Sequence, residues 1–190
     1  MAPQKSAHLR RGLVEQLERR GLLKQQAVRD AFLAVPRELF VPEFAQREGL
    51  VAVYRDMAIL TRRDVCGTPT SSSSQPAIMA PMLERLELAP GRRVLEVGAG
   101  TGYNAALLAT IVGPRGRVVS VELDPDTARA ARRALGDARF RVRIVAGDGR
   151  AGWAPGAPYD RIIATASSDE VSAPGSTSCS REGSSSFRCD

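Results

Sequence analysis

A glycine-rich segment at residues 94–104, with the sequence VLEVGAGTGYN, constrains the fold more than any other part of the chain. An apolar run leads into it, then Gly98, Gly100 and Gly102 alternate with small residues, and a helical pattern follows. This order is typical of a strand, a tight turn and a helix, in which glycine lets the backbone come close to a ligand. The segment therefore predicts a turn whose backbone N–H groups approach a bound molecule.

The spacing of the glycines distinguishes between classes of cofactor. A dinucleotide-binding turn reads G-x-G-x-x-G, whereas this turn reads E-x-G-x-G-x-G and starts at Glu96. The second pattern is usual in proteins that bind S-adenosylmethionine. A nicotinamide oxidoreductase is disfavoured, because the third glycine comes one residue early.

Residues 91–165 alternate between predicted strands and helices. Strands are expected at 93–97, 117–122, 140–145 and 159–165, with helices at 103–112 and 125–135. The strands are rich in Val and Ile, as in a sheet that is covered on both faces. This order predicts an α/β protein with a Rossmann-like parallel sheet and right-handed crossovers.

The residues before the sheet predict a helical cap. Two helices are expected within residues 6–35, the first capped by Ser6, and a short helix within 35–42. A short extended piece at 54–60 and a polar loop at 68–76 then lead to a helix at 76–88. We therefore divide the chain into the cap with its substrate-side loop at 1–75, a cofactor-binding α/β domain at 76–171, and a tail at 172–190.

Two acids follow strands that neighbour the glycine turn. Glu122 ends the second strand about twenty residues after the turn, where an acid can accept hydrogen bonds from ribose hydroxyls. Asp148 lies between Gly147 and Gly149 after the third strand, where it can accept from an adenine amino group. A solvated loop acid and a tight turn capped by aspartate are the alternative interpretations.

Composition excludes several other classes of function. The chain has 190 residues, is 43% hydrophobic and carries a net charge of +6, but its basic residues are spread rather than clustered, so no nucleic-acid surface is predicted. Without a membrane-spanning apolar run or a signal-peptide pattern, a cytoplasmic location without membrane binding is expected. His8 is the only histidine, and Cys66, Cys179 and Cys189 have no metal spacing, so no metal site is expected.

The motifs together resemble the protein-L-isoaspartate (D-aspartate) O-methyltransferase family over residues 8–171. The resemblance rests on VPRELFVP at 35–42, YRD at 54–56, SSSQP at 72–76, VLEVGAGTGY at 94–103, GDG at 147–149 and APYDRII at 157–163. It implies transfer of a methyl group from S-adenosylmethionine to the carboxylate of L-isoaspartyl or D-aspartyl residues. The implied partners are damaged proteins or peptides, and the reaction is a step of protein repair.

The resemblance also implies which residues form the site. The family's Ser-Gln-Pro loop aligns with residues 72–76, which places its active-site serine on Ser74. The cofactor contacts fall on Glu96, Gly98, Gly100, Gly102, Glu122, Asp148 and Gly149. A carboxylate is ionised at neutral pH and needs no general base, so positioning and exclusion of water are expected to supply the catalysis. Because Ser72 and Ser73 replace the family's Thr-Ile, a carboxyl O-methyltransferase that tailors a specific peptide is an alternative.

The composition of residues 172–190 differs from that of the rest of the chain. Few of these residues can form a core, which predicts a disordered tail. In a shifted reading frame, suitable codons for the tail give a sequence similar to the helix and strand that follow at this point in the family. We therefore expect a frameshift near residues 171–173 and a sheet without the last three of the family's seven strands. An inactive truncated fragment is accordingly a further alternative, and the sequence gives no oligomeric state.

Overall fold

The computed structural model describes residues 2–166 and, for the backbone alone, residues 179–180 and 186–189. The cap contains helices, a short 3-10 helix (Arg37–Phe40) and an antiparallel hairpin. Its elements are α1 (Ala2–Arg19), α2 (Gln26–Ala34), α3 (Pro42–Val53), β1 (Ile59–Arg63) and β2 (Pro69–Ser73). Helix α4 (Pro76–Arg85) then leads into the sheet.

A six-stranded sheet forms the centre of the rest of the molecule. Its strands and helices in chain order are β3 (Arg93–Val97), α5 (Tyr103–Val112), β4 (Arg117–Glu122), α6 (Pro125–Asp137), β5 (Arg143–Ala146), β6 (Arg161–Ala164), β7 (Cys179–Ser180) and β8 (Ser186–Cys189). The strand order is β5-β4-β3-β6-β8-β7, with β3 to β6 parallel and β7 and β8 antiparallel. The expected α/β fold is confirmed. Because the order reverses at β3, the glycine turn lies at the switch point where α/β sheets bind their ligands.

Helix α5 joins the sheet to the cap. Its sequence YNAALLATIV has no polar face, and most of its side chains are buried because it packs against strands on one side and α2 on the other. The ring of Phe32 meets that of Tyr103 edge-on, with their centroids 6.5 Å apart. One hydrophobic core therefore runs from the cap to the sheet.

The structure corrects two expectations in the cap and adds one helix that was not predicted. Ser6 is not a helix cap, because α1 begins at Ala2 and Ser6 is buried within it, donating a hydrogen bond to the carboxylate of Glu38. The expected polar loop at 68–76 contains strand β2, which is stabilised by pairing with β1. Helix α3, with 12 residues, was not predicted from the sequence. Its backbone departs from helical geometry at Gly49, where φ is 80°.

The tail contains two short strands, β7 and β8, that were not predicted from the sequence. Strand β8 pairs with β6 in antiparallel fashion and β7 pairs with β8, so β6 is not the edge of the sheet. This pairing satisfies N–H and C=O groups that an edge strand leaves open. The other residues of the tail lie outside the described ones, and the division of the chain at 75 and 171 stays a prediction. None of the helices in the described part combines the length and the apolar character needed to cross a bilayer.

Candidate active site

The glycine turn, residues 98–102, has a shape that only glycine allows. Gly98 has φ of 98° and Gly102 has φ of 86°, both in the left-handed region. A Cβ on Gly98 would lie 2.8 Å from the Cβ of Ala166, and one on Gly102 would lie 3.2 Å from the side chain of Leu135. The glycines therefore permit close packing of the turn against the end of β6 and against α6.

The N–H groups of these glycines are bonded within the protein. Gly98 donates to the carbonyl of Val121 (2.8 Å), and Gly102 donates to that of Ala99 (2.8 Å). Gly100 donates to Oε2 of Glu122 (2.9 Å). These three donors are therefore used within the protein, and the approach of the turn's backbone to a ligand stays a prediction.

Glu122 lies where the sequence places it, at the end of β4 beside the glycine turn. Besides the bond from Gly100, its Oε1 accepts from the backbone N–H of Asp124 (3.2 Å). A carboxylate has about four acceptor positions, so two remain for hydroxyl groups of a ligand. The structure thus brings the first acid and the turn together as expected.

Asp148 and Gly149 follow β5 at the carboxyl ends of the strands, on the same side as Glu122. There the Gly147 N–H donates to the backbone carbonyl of Glu122 (2.9 Å). Asp148 caps a short 3-10 helix and pairs with the Arg150 guanidinium (2.6 Å), which lowers the pKa of its carboxyl group. A Cβ on Gly149 would lie 2.4 Å from Cγ1 of Val97, so only glycine fits here. The alternative interpretation of a capped turn describes the Asp148 side chain in this structure, and its contact with adenine stays a prediction.

Glu96 is fully buried beneath the glycine turn. Its carboxylate accepts from Asn104 Nδ2 (2.7 Å) and from the Ser120 hydroxyl (2.5 Å). Burial raises the pKa of Glu96 to about 7, although both hydrogen bonds act in the opposite direction. Glu96 therefore ties β3 to β4 and to the start of α5, and its direct contact with a cofactor stays a prediction.

The serine segment, residues 71–76, lies against the glycine turn. The Ser72 carbonyl is 3.5 Å, and Ser71 Oγ is 3.9 Å, from the position that a Cβ on Gly100 would occupy. Ser74 follows in the half-buried connection between β2 and α4. Its neighbour Gln75 donates from Nε2 to the backbone carbonyl of Asp56 (3.2 Å). Ser74 is therefore two residues along the chain from Ser72, whose carbonyl lies beside Gly100 of the glycine turn.

Arg37 binds the backbone of the serine segment, and no sequence pattern had marked it as a site residue. Its side chain is fully buried, and its guanidinium donates hydrogen bonds to the backbone carbonyls of Ser73 and Ser74. The signal for it was one basic residue in the otherwise apolar start of VPRELFVP, a segment used only as a marker of resemblance. Burial of an arginine is unusual enough that sequence alone did not suggest it.

Comparison with known proteins identifies the family. The family model described as protein-L-isoaspartate(D-aspartate) O-methyltransferase matches residues 8–177. This chain belongs to that family. The resemblance drawn from the motifs is thereby confirmed.

Members of the family from archaea match most of the chain. The protein-L-isoaspartate O-methyltransferase of Hyperthermus butylicus is 40% identical over 174 residues, which cover 87% of this chain and 68% of the relative. Protein-L-isoaspartate O-methyltransferase 1 of Archaeoglobus fulgidus is 43% identical over 166 residues, which cover 87% and 72%.

Solved structures of the family share the fold. A protein-L-isoaspartate O-methyltransferase matches with a TM-score of 0.79 and 38% identity over 88% of this chain and 51% of its own. This chain thus spans about half the length of that solved protein. A putative Plasmodium falciparum member, solved in complex with S-adenosyl-L-homocysteine, has a TM-score of 0.70 at 22% identity and supports the fold alone; the match covers 86% of this chain and 76% of that one.

Proposed function

We propose that this protein transfers the methyl group of S-adenosylmethionine to the carboxylate of L-isoaspartyl or D-aspartyl residues in damaged proteins. The observation that carries the proposal is the packing of the serine segment on Gly100 of the glycine turn. This packing puts the connection that holds Ser74 next to the cofactor turn. Membership of the family supports the choice of donor and acceptor.

The residues at the carboxyl ends of β3, β4 and β5 fit the cofactor. Gly98 and Gly149 let the backbone after β3 and β5 pack closely against Ala166 and Val97, and Glu122 keeps acceptor positions for the two ribose hydroxyls. Asp148 and Gly149 would receive the adenine ring. When bound, S-adenosylmethionine supplies an electrophilic methyl group on a sulfonium sulfur.

The chain's own contribution is to position the acceptor and exclude water. The substrate carboxylate carries its negative charge at neutral pH, so it needs no general base from this chain to be nucleophilic. The Ser74 hydroxyl would donate a hydrogen bond to this carboxylate and hold it beside the place where the cofactor would supply its methyl group. Positioning of this kind supplies much of the rate when two reactants are held in one site.

The substrate is proposed to be a cytoplasmic protein or peptide rather than a nucleic acid. A peptide-tailoring carboxyl O-methyltransferase is the second candidate, and Ser72 with Ser73 favour it by replacing the Thr-Ile expected at the substrate side. In that case a single peptide sequence would be methylated, whereas a repair enzyme accepts many.

A methylation assay with paired peptides tests the proposal. The purified chain is incubated with methyl-labelled S-adenosylmethionine and either an isoaspartyl peptide or the same peptide with normal aspartate. We expect labelled methyl ester on several isoaspartyl sequences and none on their aspartyl counterparts. Equal labelling of both forms, or binding of the cofactor without transfer to any isoaspartyl peptide, would contradict the proposal.

A further inference from the structure

The guanidinium of Arg37 bonds to two separate stretches of backbone. Nη1 donates to the carbonyls of Val53 (3.1 Å) and Arg55 (3.3 Å), at the end of α3 and just after it. Nη2 reaches a second set of acceptors. These are the carbonyls of Met57 (3.0 Å), Ser73 (3.3 Å) and Ser74 (3.0 Å), together with the Ser73 hydroxyl (3.4 Å). One side chain therefore fixes the serine segment to the end of the cap's third helix.

The same guanidinium also contacts α5, the helix that follows the glycine turn. Its carbon lies 5.8 Å from the ring centroid of Tyr103, the first residue of α5, and Tyr103 is buried. The glycine turn ends at the preceding residue. Arg37 thus links the backbone at Ser74 with the element that sets the position of the turn.

A salt bridge does not account for the charge in this position. Within the described residues, no carboxylate forms a salt bridge with Arg37, and its buried Nε has no hydrogen-bond partner. Burial lowers the pKa of the guanidinium, in accord with the cost of removing its charge from water. A well-packed apolar side chain often stabilises a buried position as well as a buried charge does. What the guanidinium adds is a planar set of donors in fixed directions.

We propose that Arg37 is the positioning residue that holds Ser74 at its working distance from the glycine turn. This inference rests on the proposed function. Lysine would keep the charge at this position, but its three donors diverge from a single nitrogen and cannot reach both stretches of backbone in the same way.

Two substitutions of Arg37 test the inference, and a substitution elsewhere in the core serves as the control. Arg37→Met and Arg37→Lys are expected to lower kcat for an isoaspartyl peptide, by up to about 100-fold for Met and less for Lys, because small displacements of reacting groups cost this much. The affinity for S-adenosylmethionine is expected to change little. Val118→Ala, in the buried half of β4 away from the site, is expected to lower the melting temperature without lowering kcat.

Chemical rescue separates geometry from charge. Arg37→Ala leaves a cavity of guanidinium shape, so we expect millimolar guanidinium to restore part of its kcat, whereas methylammonium restores none. Arg37 would be merely structural if each variant lost kcat in proportion to its melting temperature, as a core variant would, or lost cofactor affinity by the same factor as kcat. An unchanged kcat in Arg37→Met would also overturn the inference.

Amide exchange decides the inference even where activity does not. If the wild type methylates no isoaspartyl peptide, the proposed function fails, and exchange at Ala77 and Ile78, just after the serine segment, tests Arg37 alone. We expect faster exchange at these amides in Arg37→Lys than in Val118→Ala, because the segment loses its anchor. Equal protection in the two variants would overturn the positioning role.

Discussion

Two regions of the molecule, the cofactor side of the site and the cap, are each stabilised by a different kind of contact. On the cofactor side, neighbouring strand ends bond to one another through backbone groups, as where Thr165 N–H donates to the Val97 carbonyl (2.8 Å). In the cap, single polar side chains join distant segments. The Tyr54 hydroxyl donates to the Glu38 carboxylate within the cap. The backbone N–H of Gln25 donates to Glu84 Oε1 (3.0 Å), which ties the cap to α4.

This difference predicts where each region is sensitive to substitution. The cofactor side is most sensitive where a glycine conformation is required, and next at Glu96 and Glu122, whose carboxylates bond to β4, the start of α5 and the turn. A cap held by a few buried polar groups loses its geometry when one of them is removed, because the partner is then left unsatisfied. The substrate side of the reaction should therefore depend on residues such as Arg37 that lie outside the reacting centre.

Gly98→Ala is expected to have the largest effect and would test the backbone side. Alanine at a φ of 98° is strained, and its Cβ would lie 2.8 Å from that of Ala166. We expect the free energy of unfolding to fall by about 4 kcal/mol and cofactor binding to be lost, as measured by urea denaturation and calorimetry. Gly12→Ala is the matched control. It lies in α1 with no atom within 4 Å of the added Cβ, and should gain about 0.5–1 kcal/mol.

Glu96→Gln tests the buried carboxylate between β3 and β4 on the cofactor side. The folded-state pKa of Glu96 is about 7, above the ordinary value of 4.5, so its contribution to stability is complete below pH 4.5 and is lost as pH rises to 7. The neutral variant escapes this loss. The difference in unfolding free energy between the two proteins should therefore change by on the order of 3 kcal/mol from pH 4 to pH 8. Parallel stability curves would show that Glu96 is not penalised for ionising.

Glu122→Gln sharpens the assignment of the ribose contact. The amide oxygen can still accept from Gly100, but the variant loses the charged acceptor that two hydroxyl groups would share. We expect the affinity for S-adenosylmethionine to fall by about 30-fold, which corresponds to about 2 kcal/mol. Asp126→Asn removes an exposed acid in the first turn of α6 and should leave the affinity unchanged. Equal effects of the two variants would point to general electrostatics instead.

The sequence predicted the cofactor side well because its signals are local. Strands β3 and β4 and helix α5 have the predicted bounds, since glycines and apolar runs mark their ends. Strand β2 has no such signal, because PTSSS becomes a strand only through pairing with β1. Arg37 and Ser6 are polar residues whose burial depends on acceptors far away in the chain, which no local pattern reveals.

Within the candidate site, the sequence located the turn and its acids but not their hydrogen bonds. The glycine pattern is the same whether its N–H groups face a ligand or the protein, and only the fold shows Gly100 bonded to Glu122. Similarly, nothing in the local sequence shows that the Glu96 carboxylate is buried and bonded to Asn104 and Ser120. Position along the chain was predictable, whereas partners across the sheet were not.

Ser74→Ala, assayed for both cofactor binding and methyl transfer, tests most directly whether the two regions carry separate halves of the reaction. The account predicts unchanged affinity for S-adenosylmethionine and a methylation rate about tenfold or more below wild type, since one hydrogen bond to a charged acceptor is lost. Thr70→Ala removes an exposed hydroxyl on the preceding strand, β2, and should behave as wild type in both assays. Wild-type methylation by Ser74→Ala, or an equal loss of cofactor affinity and rate, would contradict the account.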